Sequence, residues 1–227
     1  MKPRAVTLKT EDGCRIAGLF GGVESPRGWV LFLHMMPAAK ESWGELTERF
    51  GKEGWATLAI DLRGHGESEG GPEGYKQFSD EGHKASRHDV KAAVEFLESE
   101  GAELEKTVVV GASIGANLAL QYLADNKKVR AAALLSAGLN YHGVNGEVAA
   151  ERLEGGQRVL LVAARDDERA GGAADRQAQT LYEEMPIDVD KNIIIYERGG
   201  HGTDMLKTEE LPDLTEAIIA FARENKI

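Results

Sequence analysis

The stretch TVVVGASIGANLALQYLA, residues 107–124, decides the fold. It opens with a short run of β-branched residues, passes through Gly111-Ala112-Ser113-Ile114-Gly115, and continues as a segment apolar almost all round. The run reads as a strand buried on both faces, and the segment near 114–124 as a central, buried helix. A strand that turns abruptly into a helix holds its middle residue in a strained backbone, projected into a cleft. The two glycines carry no Cβ to collide with neighbouring backbone. The Ser113 hydroxyl then lies at a helix N-terminus, where the dipole favours developing negative charge. Outside such a setting, the same five residues are also met as a plain glycine-rich turn.

Outward from this turn, short apolar runs alternate with helical patterns. Strands are predicted at Ala5–Lys9, Arg15–Phe20, Trp29–His34, Ala56–Ile60, Thr107–Val110, Ala131–Leu135, Val159–Ala163 and Asn192–Tyr196. The first two alternate apolar with polar residues and flank Glu11-Asp12-Gly13, the signal of an edge hairpin. Helical stripes are carried by Trp43, Leu46 and Phe50, by Val90, Ala93, Val94 and Leu97, and by Leu214, Ala217, Ile218 and Phe221. Ser42 and Glu45 read as a capping box, and Pro212 suits a first helical turn. The order is two strands, then β-α units to the C-terminus. It predicts a three-layer α/β/α sandwich around a mostly parallel eight-stranded sheet, with an N-terminal antiparallel edge hairpin. The expectation is a single domain over residues 1–227.

The 227 residues carry 27 Lys plus Arg against 38 Asp plus Glu, a net charge of −11. That balance argues against nucleic acid as a partner and against docking on an anionic membrane. No apolar stretch approaches the ~20 residues of a membrane span. With Cys14 the single cysteine and no apolar leader, a cytoplasmic location is expected. No metal site is expected: the two-histidine helix motif and cysteine pairs are absent. Phosphate-binding glycine loops are absent too, so no cofactor is expected.

The strand–GASIG–helix arrangement resembles the α/β-hydrolase superfamily, in particular its lidless carboxylesterase-type members. The likeness covers nearly the whole chain. It implies a nucleophile, Ser113, followed in chain order by an acid and a histidine. His201, the only histidine after Tyr196, looks like the family's Gly-His segment and would be the base. A serine hydroxyl attacks well only when a base near pKa 7 takes its proton. Ala164-Arg165-Asp166-Asp167 stands where relatives show Gly-x-x-Asp, which assigns the acid to Asp167, with Asp166 the competitor. The acid would orient the imidazole and stabilise imidazolium. The oxyanion would be held by the backbone N–H of Ile114 and of Met36, the latter in His34-Met35-Met36-Pro37, similar to the family's His-Gly-x-Pro. Met35 replaces the glycine there and is the weaker candidate donor. Asp61-Leu62-Arg63-Gly64-His65-Gly66-Glu67-Ser68 is a second family-like segment and reads as scaffold.

The resemblance also implies where a lid would be inserted. Residues 136–158 leave room for one short helix, Glu147–Leu153, and no separate lid or cap domain. The stretch 69–79, with Tyr75 and Phe78, would overhang the cleft. The expected activity is hydrolysis of small carboxylic esters through an acyl-enzyme. Thioester or amide hydrolysis, acyl transfer and perhydrolysis are alternatives on the same residues. A non-catalytic binding protein on this fold is the alternative of a different class.

Overall fold

A computed structural model describes residues 3–169 and 173–225. The strands are β1 (Arg4–Lys9), β2 (Arg15–Gly21), β3 (Trp29–Leu33), β4 (Ala56–Ile60), β5 (Thr107–Ala112) and β6 (Ala131–Leu135), then the two-residue β7 (Asn140–Tyr141) and β8 (Val144–Asn145), then β9 (Arg158–Ala164) and β10 (Asp190–Tyr196). The α-helices are α1 (Gly44–Lys52), α2 (Asp80–Lys84), α3 (Arg87–Ser99), α4 (Ile114–Asp125), α5 (Gly146–Glu151), α6 (Ala174–Glu184) and α7 (Leu214–Arg223). Eight strands form one sheet in the order β1-β2-β4-β3-β5-β6-β9-β10. The pairings β1–β2 and β2–β4 are antiparallel, and every other pairing in that sheet is parallel. This is the expected architecture. The pair β7–β8 is an addition: a separate hairpin between β6 and α5.

The continuous apolar runs resolve into two faces. In β3, Leu31 and Leu33 join the core under α3 and α4, while Val30 and Phe32 join the core under α1 and α7. In β5, Val109 faces the first layer and Val108 and Val110 the second. A strand with helices on both sides has no polar face to show, so the period of two disappears from its hydrophobicity. β2 departs from this at Leu19 and Gly21, which are only partly buried, consistent with its place near the sheet edge.

Two helix starts differ from expectation. Ser42 caps nothing: it lies in a 3₁₀ turn, Lys40–Trp43, and its hydroxyl donates to Ala39 O at 2.8 Å. The turn shifts the start of α1 to Gly44. At α7 the cap is Asp213, whose carboxylate accepts the Glu216 N–H at 2.9 Å, so Pro212 lies just outside the first turn. A short polar side chain with a free lone pair satisfies an orphan amide that proline leaves open.

The Asp61–Ser68 segment behaves as scaffold. The Asp61 carboxylate accepts the Lys40 N–H, the Lys40 Nζ and the Glu67 N–H, each within 2.8–2.9 Å. Ser68 Oγ donates to Asp61 O and accepts the Ala17 N–H. Arg63 adds a side-chain link: its guanidinium bridges Asp12 and the buried Asp89. These contacts clamp the loops after β3 and β4 together at the end of the sheet where the candidate site lies.

Candidate active site

The parallel strands deliver each candidate residue at their C-terminal ends. Met36 follows β3, Ser113 joins β5 to α4, Asp167 follows β9, and His201 follows β10. Open α/β sheets collect ligands at that end, because loops from non-adjacent strands converge there.

Ser113 has φ 54° and ψ −120°. A non-glycine residue in that region is strained and persists only where its surroundings dictate it. Here the Ser113 N–H donates to Leu135 O of β6 at 2.8 Å. Its carbonyl accepts the Ala116 and Asn117 amides at 2.9 and 3.1 Å, the first bonds of α4. Strand pairing on one side and helix initiation on the other therefore fix the turn. Ile114 opens α4, so its N–H belongs to the first-turn amides that have no acceptor within the helix.

The helix start also lies against the loop after β3. A Cβ on Gly115 would stand 2.4 Å from Leu33 O and 2.6 Å from His34 O. Both obstacles are backbone, so a methyl there must move the helix or the loop. Gly115→Ala is expected to lower stability by about 1–3 kcal/mol, the usual cost of overpacking. Because it shifts the Ser113 turn against the segment that leads to Met36, it should cut turnover at this site by roughly 100-fold. A denaturant melt and an ester assay check this, and an unchanged rate would refute the close-packing argument.

His34 organises the loop rather than facing solvent. Its Nε2 accepts the Leu62 N–H at 2.9 Å. A neutral ring that accepts at Nε2 carries its proton on Nδ1, which donates to Met35 O at 2.9 Å. Burial, with the adjacent His65 ring adding to the shift, pushes the His34 pKa down to about 4. The unfolded chain binds this proton near pH 6.5. Between about pH 6.5 and 4 the unfolded state therefore holds more protons, and stability falls as pH falls. Burial shifts His65 and His83 in the same direction. Denaturation midpoints measured from pH 7.5 to 4.5 check the slope, which His34→Gln should flatten.

Met35 and Met36 differ in place. Met35 is buried, and its sulfur packs on the residue after His201: a Cβ on Gly202 would lie 2.6 Å from it. Its carbonyl also takes the Ala38 N–H at 2.8 Å, closing a turn around Met36. Met36 is half-buried and packs against the α3–α4 core layer.

The two neighbouring aspartates have separate partners. Asp167 Oδ2 meets His201 Nδ1 at 2.7 Å, and both side chains are buried. Asp167 Oδ1 accepts the Arg169 N–H at 3.0 Å. Asp166 is exposed, and its Oδ1 accepts the Gly199 and Gly200 amides, each at 2.9 Å. One carboxylate thus faces the imidazole while the other fixes the loop that carries it.

Three residues at the site were not foreseen. Ser136, just after β6, donates from its hydroxyl to Asp167 Oδ2 at 2.9 Å. Tyr141, on the β7–β8 hairpin, donates to Ser136 O at 3.1 Å, and its hydroxyl also faces the Ser113 side chain. Burial pushes that phenol up to about 12, with the Asp167 charge adding to the shift, so it stays an O–H group. Buried Asn117 on α4 donates to Gly138 O and Val144 O, each at 2.8 Å, and so ties the hairpin to the helix behind Ser113. The available signal was Asn140-Tyr141-His142-Gly143-Val144. His142 and Gly143 have φ 50° and 81°, the two positive values of a tight two-residue hairpin turn.

Among the described residues, no group of three or more His, Cys, Asp or Glu side chains is placed to hold a metal ion. No helix among them is long and apolar enough to cross a membrane.

Sheet order, strained elbow and converging loops are those of an α/β-hydrolase. A family model described as serine aminopeptidase, S33, matches residues 24–165, more than half the chain. The chain belongs to that family of hydrolases. The matched range contains Met36 and Ser113, while Asp167 and His201 lie beyond it. A curated relative, the AB hydrolase superfamily protein YisY of Bacillus subtilis (strain 168), is 30% identical over 95 residues, which are 42% of this chain and 31% of that protein. The match therefore spans about a third of the relative's length. Two solved structures share the fold across almost the whole chain. DcsB, in complex with its substrate analogue, has a TM-score of 0.83 at 16% identity, covering 99% of this chain and 100% of that one. The Pyrococcus furiosus esterase Pf2001 has a TM-score of 0.78 at 18% identity, covering 97% and 91%.

Proposed function

We propose that the chain is a serine hydrolase of carboxylic esters, working through Ser113, His201 and Asp167. The observation that carries this reading is the buried 2.7 Å contact between His201 and Asp167, at the same sheet end as the strained Ser113 turn. In this reading His201 Nε2 takes the Ser113 proton as the oxygen attacks the carbonyl. Asp167 holds Nδ1–H and stabilises the imidazolium. The Ile114 and Met36 amides receive the oxyanion. His201 then returns the proton to the leaving alcohol, and a water activated by the same ring hydrolyses the acyl-enzyme.

The cleft is open in this proposal, within a single domain and without a cap. Between the end of β6 and the start of β9, residues 136–157 contain only the β7–β8 hairpin and α5 besides their connections. The hairpin meets α2 through stacked His83 and His142 rings, 4.6 Å apart, and Tyr75 stacks on His65 at 4.2 Å. In this reading these contacts edge the cleft rather than cover it as a separate layer. A rim of this kind suits small or extended acyl esters.

The test is fluorophosphonate labelling followed by a panel of p-nitrophenyl esters of graded acyl length. Matched amides, aminoacyl anilides and thioesters are run beside them. Labelling at Ser113 with the highest turnover on short esters supports the proposal. Turnover confined to aminoacyl anilides would move the substrate class to the peptidase chemistry in the family's description. No labelling would remove the serine mechanism.

A further inference from the structure

We propose that Ser136 is a positioning residue of this site, holding Asp167 and His201 in register through one hydroxyl. The inference rests on the triad reading above and names a residue that reading does not use. β6 lies between β5, which leads to Ser113, and β9, which leads to Asp167. The residue leaving β6 is therefore within reach of both. Ser136 is fully buried, its N–H is held by Val162 O at 2.8 Å, and its φ is 49°.

Its hydroxyl has one proton to give, and it goes to Asp167 Oδ2 at 2.9 Å. That is the same oxygen His201 Nδ1 reaches at 2.7 Å. The Ser136 oxygen in turn accepts the Gly202 N–H at 2.9 Å, from the residue directly after His201. One atom thus joins the carboxylate to the backbone that carries the imidazole. Without it, a buried amide loses its acceptor and the carboxylate loses a donor. Held then by the Arg169 N–H and the imidazole without the hydroxyl, the carboxylate turns more easily about its Cβ–Cγ bond, and the imidazole bonded to it moves with it.

Three variants separate hydroxyl loss from backbone effects. Ser136→Gly removes the hydroxyl at a φ glycine accepts without strain. Ser136→Ala keeps the Cβ, and Ser136→Cys keeps the shape with only a weak donor. In the variants that fold, judged by thermal melting, kcat on a short ester should fall roughly 10- to 100-fold, with KM within about twofold. A merely structural role would lower stability without this split. Introduced into Asp167→Ala, Ser136→Gly should cost less than about threefold, because the carboxylate it acts through is gone. Wild-type kcat in any folded variant, or the same loss in the Asp167→Ala background, overturns the proposal. Full activity in Ser113→Ala would instead overturn the triad reading. An inactive Ser113→Ala beside fully active Ser136 variants would overturn only the role given to Ser136.

Discussion

Ser113→Ala is expected to fold as the parent does and to lose roughly 10⁴-fold or more in kcat, the scale seen when a triad nucleophile is removed. The hydroxyl is the attacking atom in the proposed reaction, and no neighbouring group replaces it. Tyr141 faces the same oxygen, but burial keeps its phenol protonated and therefore a poor nucleophile. The backbone around residue 113 does not depend on the hydroxyl. The Leu135 pairing and the first α4 bonds use only main-chain atoms. The strain at φ 54° stays in Ala and is relieved in Ser113→Gly, which should melt higher while equally inactive. Initial rates on a p-nitrophenyl ester, with thermal melts of both variants, measure the two effects together. Retention of most of the rate in Ser113→Ala would sink the nucleophile assignment.

Asp167→Asn is expected to cost roughly 10³- to 10⁴-fold in kcat, and Asp166→Asn no more than about tenfold. The two residues adjoin in sequence, yet only Asp167 Oδ2 lies against the imidazole. An amide there can present N–H to Nδ1, which favours the tautomer that cannot accept the Ser113 proton. Asp166 bonds the Gly199 and Gly200 amides through a carboxylate oxygen, and Asn offers an amide oxygen of similar reach. Its loss of charge weakens these bonds without removing the acceptor. Parallel kcat determinations on the two purified variants decide the matter. The opposite ranking would move the acid by one residue.

The parts of the fold that were legible in the sequence are those whose physics is local. Strand Thr107–Ala112 shows its burial in a β-branched run, and the Ser113 turn shows itself through glycines that a close approach demands. β4 and β6 begin and end where their apolar runs do, since both faces of each are covered. Legibility failed where a side chain bonds across the chain. Nothing near Ser136 announces a partner at position 167, and Asn117 reads as one polar residue in an apolar helix until its bonds to Gly138 and Val144 are seen. The β7–β8 hairpin was missed because four paired residues are too few for periodicity to register. At Ser42 the residue types of a capping box were present, but the preceding 3₁₀ turn moved the helix start past them.

His201 hangs from β10, an edge strand paired on one side only, yet the loop around it is anchored by side chains rather than by the sheet. Gly199 and Gly200 give their amides to Asp166, and Gly202 gives its amide to Ser136. Amide exchange is slow only while an acceptor stays in place. Those three glycine protons are therefore a clock for the assembled site that needs no substrate. Were β10 to fray while Asp166 and Ser136 kept their grip, the strand amides would take up deuterium first and the glycines later. The reverse order would mean that the site opens before the sheet does.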